Sequence, residues 1–264
     1  MIQPHLDLLL FTTDTEFAVA AASSGVDGFI VDWETKGKTD RQRGQDMEIN
    51  ADTVDDLARL SGSVALPITV RINGIEHEAA SEIELALANG ANGIMLPMAR
   101  TAADVAHFLD LIDGRAKTIV QIETQDLVND LASMARLPWD AAYIGLHDLM
   151  LSRGAASMWQ ALVDGTVESI FETLSGRDVG FAGATVVGGG HPIRFTQVLQ
   201  ELARMGAALT FLRRSFRREI QDRDMPEEIN ALRAAWRACH FRGPAAVESD
   251  RCRLFSDLRR LIEF

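Results

Sequence analysis

Eight short apolar runs recur along this chain, and a stretch with apolar residues at helical spacing follows most of them. The runs span residues 5–11, 28–33, 68–72, 93–97, 118–123, 142–146, 181–187 and 208–212. Between them lie segments such as TEFAVAAASSG, TVDDLARLSG, EHEAASEIELALANG, TAADVAHFLDLIDG and TQDLVNDLASMARL. Apolar runs without alternation are what strands buried on both faces require, and intervening helices imply that those strands are parallel. The punctuation agrees. Thr53 and Thr101 stand at N-cap positions with Asp56 and Asp104 in the first turn, and Gly25, Gly90 and Gly114 follow the last helical residues. Eight such rounds predict a closed (β/α)8 TIM barrel over residues 1–216, in preference to an open doubly wound sheet.

Two regions break the rhythm. Residues 34–51, ETKGKTDRQRGQDMEINA, form a polar segment longer than an ordinary connection, and such loops are usually functional or disordered. Residues 217–264 read as a C-terminal helical extension that packs on the barrel or on a neighbouring subunit. Leu254, Phe255, Leu258, Leu261 and Ile262 give its last helix an apolar stripe that needs a partner surface.

Functional side chains of a barrel gather at the C-terminal ends of its strands. Strand two delivers Asp32 and Glu34 there, strand three Arg71 and Asn73, strand four Pro97, and strand five Gln121 and Glu123. Strand six runs into His147 and Asp148, strand seven into VVGGGHP, and strand eight into RRSF. In VQIETQ the side chains of Gln121 and Glu123 point the same way, because a strand alternates its faces. An unpaired carboxylate on the inner face of a buried strand costs several kcal/mol, so something must compensate it. Glu123 and Asp148, on adjacent strands, supply two hard oxygen ligands with open positions, the donor set of a Mg²⁺ or Mn²⁺ site. Arg71 adds a cation whose planar fork suits a carboxylate or enolate oxygen. The same residues would also form a purely structural Arg–carboxylate network, and spacing does not choose between the two.

Charge and cysteine content narrow the class. The net charge of −12 argues against nucleic-acid and anionic-membrane partners. The last part is the exception, with 12 Lys+Arg against 9 Asp+Glu over residues 213–264. Two cysteines, Cys239 and Cys252, make no disulfide framework and fit a reducing compartment. The first residues lack a basic n-region and a cleavage site, so a cytoplasmic protein is expected. A Schiff-base mechanism is disfavoured. Lys36 and Lys38 lie in the polar loop, and Lys117 begins a strand at the wrong end of the barrel.

GVDGFIVDWE, VRING, GANGIMLPM, VQIET and IGLHDL occur in this order at successive strand ends. Together they resemble the HpcH/HpaI aldolase and citrate lyase β-subunit family, the metal-dependent class II pyruvate aldolases, over roughly residues 5–215. The resemblance implies Glu123 and Asp148 as ligands of Mg²⁺, Mn²⁺ or a similar ion. It implies Arg71 and Gln121, with Gly145 and Leu146, as contacts of a pyruvate-like substrate. The implied activity is a carbon–carbon lyase working through the enolate of a 2-keto acid, pyruvate or oxaloacetate, with an aldehyde or thioester as partner. A homo-oligomer, a dimer or a hexamer built from dimers with exchanged C-terminal helices, is implied as well.

One departure bears on mechanism. The hydroxy-dioate aldolases of that family carry a proton-transferring His after the strand-two Glu, where this chain has Thr35. The general base is then a water, His147 or His191, of which His147 is the catalytic candidate. The substitution keeps two other readings open, a citrate-lyase-like acyl-CoA lyase and a non-catalytic barrel. Gly188–Gly190 would suit a CoA or phosphate anion, and Lys36, Lys38, Arg41 and Arg43 an anionic substrate tail. Trp33, Met95 and Met98 read as packing.

Overall fold

The eight runs form eight parallel strands in chain order. In the computed structural model, which describes residues 5–36 and 52–262, they are β1 (Asp7–Phe11), β2 (Gly28–Asp32), β3 (Ile68–Arg71), β4 (Gly93–Leu96), β5 (Lys117–Ile122), β6 (Ala141–Ile144), β7 (Asp178–Ala184) and β8 (Leu209–Leu212). Each pairs with the next and β8 closes on β1, so the expected (β/α)8 barrel is the fold.

Alternation within each strand divides the core in two. Leu8, Leu10, Phe29, Val31, Val70, Ile94, Val120 and Ile144 face outward into the layer shared with the helices. Ile30, Met95, Ile119, Ala141, Tyr143, Leu209 and Phe211, with Leu9 and Phe11, fill the interior. Because both faces are buried, no polar–apolar alternation is visible along the strands. The helices begin where their caps require. Thr53 and Thr101 both close capping boxes, with Asp56 and Asp104 answering from the third helical position. Gly25 ends Thr15–Ser24 at φ 100°, a left-handed conformation that a side chain would resist.

The strand ends depart from expectation by a residue or two, except at β7. Beyond β2 and β6 single ladder bonds continue, from Trp33 N–H to Arg71 O (2.9 Å) and from Gly145 N–H to Ile122 O (3.1 Å). β7 starts three residues earlier than predicted and stops before Thr185. Its sequence, DVGFAGA, is weak in strand signal because of two glycines, and these have a physical reason: a Cβ at Gly180 would lie 2.0 Å from Leu209 O, and one at Gly183 2.2 Å from Arg213 Cγ. The register slips between those two glycines, and Ala182 takes φ 56°.

The C-terminal helices lie on the barrel of the same chain. Ile229, Leu232 and Trp236 of Met225–Cys239 are buried against Thr15–Ser24, while Arg233 reaches Leu6 O, Gly25 O and Asp27. Leu254 and Leu258 of Pro244–Ile262 are buried beside Phe195–Met205, where Gln197 Nε2 donates to Asp257 Oδ2 (2.9 Å). Phe255 is half-buried and Leu261 exposed, so the stripe is covered along part of its length. Among the described residues, no helix is long and apolar enough to cross a membrane. Cys239 and Cys252 are free.

Candidate active site and metal centre

Inner-face alternation carries past the last ladder bond of each strand and sets the mouth. β2 presents Asp32 and then Glu34, β3 Arg71, β5 Gln121 and then Glu123, β6 Tyr143 and then Gly145, and β8 Phe211 and then Arg213. Asp32, Glu34, Gln121 and Glu123 are all at least 97% buried. Such groups need partners, and most of the partners are visible.

Glu123 stands at the centre. Its Oε1 accepts the Met98 N–H at 2.9 Å and its Oε2 accepts Gln121 Nε2 at 3.2 Å. Met98 holds φ 57°, a left-handed conformation uncommon for a side chain, which aims its N–H at the carboxylate. The sequence reads Met98 as packing; its backbone is instead a site element, and no sequence signal marks a positive φ at a methionine. Gly145 is the other missing wall. A Cβ there would lie 2.5 Å from Glu123 Oε2, so only glycine leaves that oxygen its place. Burial, then the charges of Asp148 and Glu34, push the Glu123 carboxyl up to about 8 against the opposing pull of Arg71 and the Met98 N–H.

Arg71 is committed more fully than its sequence position suggests. Its Nε and Nη2 grip Asp32 Oδ1 and Oδ2 at 2.9 and 2.7 Å, and the two residues are register partners on adjacent strands. The fork expected to meet substrate is therefore taken by Asp32. What remains is the Nη1 corner, 3.4 Å from Glu34 Oε2 and 3.5 Å from Gln121 Oε1. Burial pulls the guanidinium down, but Asp32 and Glu34 outweigh it and hold its pKa above the ordinary value. Asp32 stood among the strand-two residues without a role; its register with Arg71 was the signal that could have assigned one. Asn73 is a positioning residue: its Oδ1 accepts the N–H groups of Thr35 and Lys36, its Nδ2 donates to Trp33 O, and Glu82 holds it from behind.

His147 and Asp148 sit in the first turn of the helix Leu146–Arg153, with Gly145 at its N-cap and no side chain capping it. That turn follows β6 at the same end of the barrel as Glu123, and a helix N-terminus is an anion-receiving end. His191 is exposed on the loop after β7. Within Gly188–Gly190 the first glycine is open and the other two are closely packed. A Cβ on Gly189 would meet Glu219 Oε2 at 2.3 Å, and Phe195 N–H donates to Gly189 O at 2.9 Å. A carboxylate therefore lies against Gly189. Lys36 pairs with Glu78 at the surface (3.3 Å), and Lys38, Arg41 and Arg43 lie outside the described residues. Lys117 is exposed at the start of β5, as expected.

Comparison with known proteins gives these positions a context. The family profile described as HpcH/HpaI aldolase/citrate lyase matches residues 9–162, more than half of the chain. The chain belongs to the HpcH/HpaI aldolase/citrate lyase family. No curated protein matches the sequence significantly. Among solved structures, a HpcH/HpaI aldolase/citrate lyase family protein from Burkholderia cenocepacia J2315 is similar with a TM-score of 0.60 and 18% identity over 90% of this chain and 95% of that one. The citrate lyase β subunit from M. tuberculosis, complexed with oxaloacetate and magnesium, is similar with a TM-score of 0.58 and 22% identity over 89% and 98%. Citrate synthase SbnG gives a TM-score of 0.57 at 19% identity over 80% and 86%. At these identities the structures share the fold. Membership of the family makes the chain a lyase-type barrel.

Proposed function

We propose that the chain is a divalent-metal-dependent carbon–carbon lyase acting through the enolate of a 2-keto acid, pyruvate or oxaloacetate. The observation that carries the reading is the charge balance at the mouth. Glu123, Asp148 and Glu34 converge there, and Arg71, the cation whose charge acts on Glu123, is gripped by Asp32. The residues present fit Mg²⁺ or Mn²⁺: Glu123 and Asp148 are hard oxygen donors, and their mutual repulsion is what a cation relieves. When bound, the ion would supply Lewis acidity that favours enolisation of the keto acid.

The chain's own groups account for the rest. The first turn of the helix Leu146–Arg153 receives the substrate carboxylate at the positive end of the helix dipole. Gln121 bridges Arg71 and Glu123 and fixes both. The Nη1 corner of Arg71 stabilises the oxygen on which enolate charge develops. His147, next to Asp148, takes the proton from the carbon that becomes nucleophilic, since Thr35 cannot act as a base. That electron pair then attacks an aldehyde carbonyl, whose oxygen takes the proton from His147 as the C=O π bond opens. In the cleavage direction His147 removes the hydroxyl proton, the C–C bond breaks, and the enolate carbon receives the proton back. The acyl-CoA alternative is the less favoured reading, because the Glu219 carboxylate lies against Gly189 in the turn that would receive a CoA anion. A homo-oligomer in a reducing cytoplasm completes the reading and follows from family and composition.

Loss of pyruvate methyl protons into D₂O, followed by NMR, tests this without knowledge of the electrophile. Exchange is expected with Mg²⁺ or Mn²⁺, is abolished by EDTA, and falls at least about a hundredfold in Glu123→Ala. Exchange that survives both EDTA and the substitution overturns the metal-enolate reading.

A further inference from the structure

A second arginine enters the mouth from the far side. Arg213 follows Leu209 and Phe211 on the inner face of β8, and its stem lies where a Cβ on Gly183 would be, so the bulged strand β7 is shaped around it. Its Nε and Nη2 are buried and have no hydrogen-bond partner in the protein. Among the described residues it forms no ion pair. These two donors are the same edge of the guanidinium that Arg71 uses to grip Asp32, so the chain carries one filled fork and one empty fork at the same mouth.

The two forks flank one floor. Arg71 lies over the Phe11 ring (5.1 Å), Phe11 meets Phe211 edge-on (5.2 Å), and Phe211 stacks on Tyr143 (3.5 Å). Tyr143 feels the charges of Arg213, Arg71 and Glu123 together. Its hydroxyl donates to Ala182 O, leaving Arg213 without it. Burial pulls the Arg213 guanidinium below its ordinary value, and Glu219, the nearest opposing charge, does not restore it. Glu219 is itself engaged with Thr185 Oγ1 at 2.7 Å. A buried, unmatched planar fork is costly to keep and is complementary to a carboxylate.

Building on the proposed function, we infer that Arg213 binds the distal carboxylate of the substrate, so that the site selects a 2-keto diacid over a 2-keto monoacid. The keto-acid end is held at the Glu123 side and the second carboxylate meets the Nε–Nη2 edge of Arg213 across the aromatic floor. Arg213 is a specificity residue and takes no part in proton transfer.

The test compares dissociation constants of pyruvate with those of oxaloacetate and 2-ketoglutarate, measured by calorimetry on the Mg²⁺-loaded protein. The wild type should favour at least one diacid, and Arg213→Met should weaken that diacid roughly ten- to hundred-fold while leaving pyruvate unchanged. Arg213→Lys, which keeps the charge without the fork, should fall between. The metal-free Arg213→Met protein should melt no lower than the wild type, because no protein partner is lost. Unchanged diacid affinity in Arg213→Met overturns the inference and leaves the proposed function standing. A lower melting temperature with both affinities reduced together assigns Arg213 to the scaffold and overturns it too. Failure of the wild type to bind any keto acid overturns both.

Discussion

The two ends of the barrel each collect acidic residues, and they treat them differently. At the N-terminal end, Asp27 accepts Leu8 N–H (2.7 Å), His5 Nε2 (2.8 Å) and the Arg233 guanidinium, while Asp7 has His5 at 3.4 Å. Those groups could gather round a cation by position alone, yet Asp27 is already matched and partly solvated. At the C-terminal end Glu123 is buried with two like charges beside it, and its nearest cation is taken by Asp32. The bottom is neutralised by its own chain and tied to the C-terminal helix. At the mouth the like charges of Asp148 and Glu34 act on Glu123 while Arg71 is committed to Asp32, the imbalance on which the proposed metal site rests. An acid cluster is thus informative by how its charges are shared with its neighbours, not by its size.

Three changes would break or sharpen that contrast. The largest effect is expected from Arg71→Met, which strands Asp32 fully buried without its ion-pair partner. It should cost roughly 3–5 kcal/mol in urea unfolding as well as abolish exchange. A loss no greater than that of a surface pair would mean that the Asp32 clamp is not an anchor. Next is the dependence of metal binding on pH. Glu123, raised to about 8, must lose its proton to act as a ligand, so Mg²⁺ affinity should rise about tenfold per pH unit below that value and level off above it. The linked sign follows: between the ordinary carboxylate range and about 8 the unfolded chain binds fewer protons, so the metal-free protein loses stability as pH rises through that window. Calorimetric Mg²⁺ titrations from pH 6 to 9 that show no slope would refute this. The smallest effect belongs to the matched end. Asp27→Asn should cost about 1–2 kcal/mol and leave pyruvate exchange untouched.

Much of this was legible before any coordinates. Continuous apolar runs and well-formed caps determined the barrel, because burial on both faces and helix ends are local demands. The alternation in VQIET and the adjacency of strands five and six sufficed to bring Glu123 and Asp148 forward. β7 was misplaced because its glycines answer to Leu209 and Arg213, residues that only folding brings near. Met98 was missed because its contribution is a backbone N–H at a positive φ, which its side chain does not announce.

The sequence by itself therefore determined the order of elements, the closed sheet and the set of polar side chains at the strand ends, since each depends on short-range periodicity. Only the tertiary structure decided how those charges are shared. It gave Arg71's fork to Asp32, laid Glu219 against Gly189 and left Arg213's fork empty. The reason is that pairing depends on register and curvature around the barrel, where a separation of a few ångströms, not of residues, settles which charge is matched.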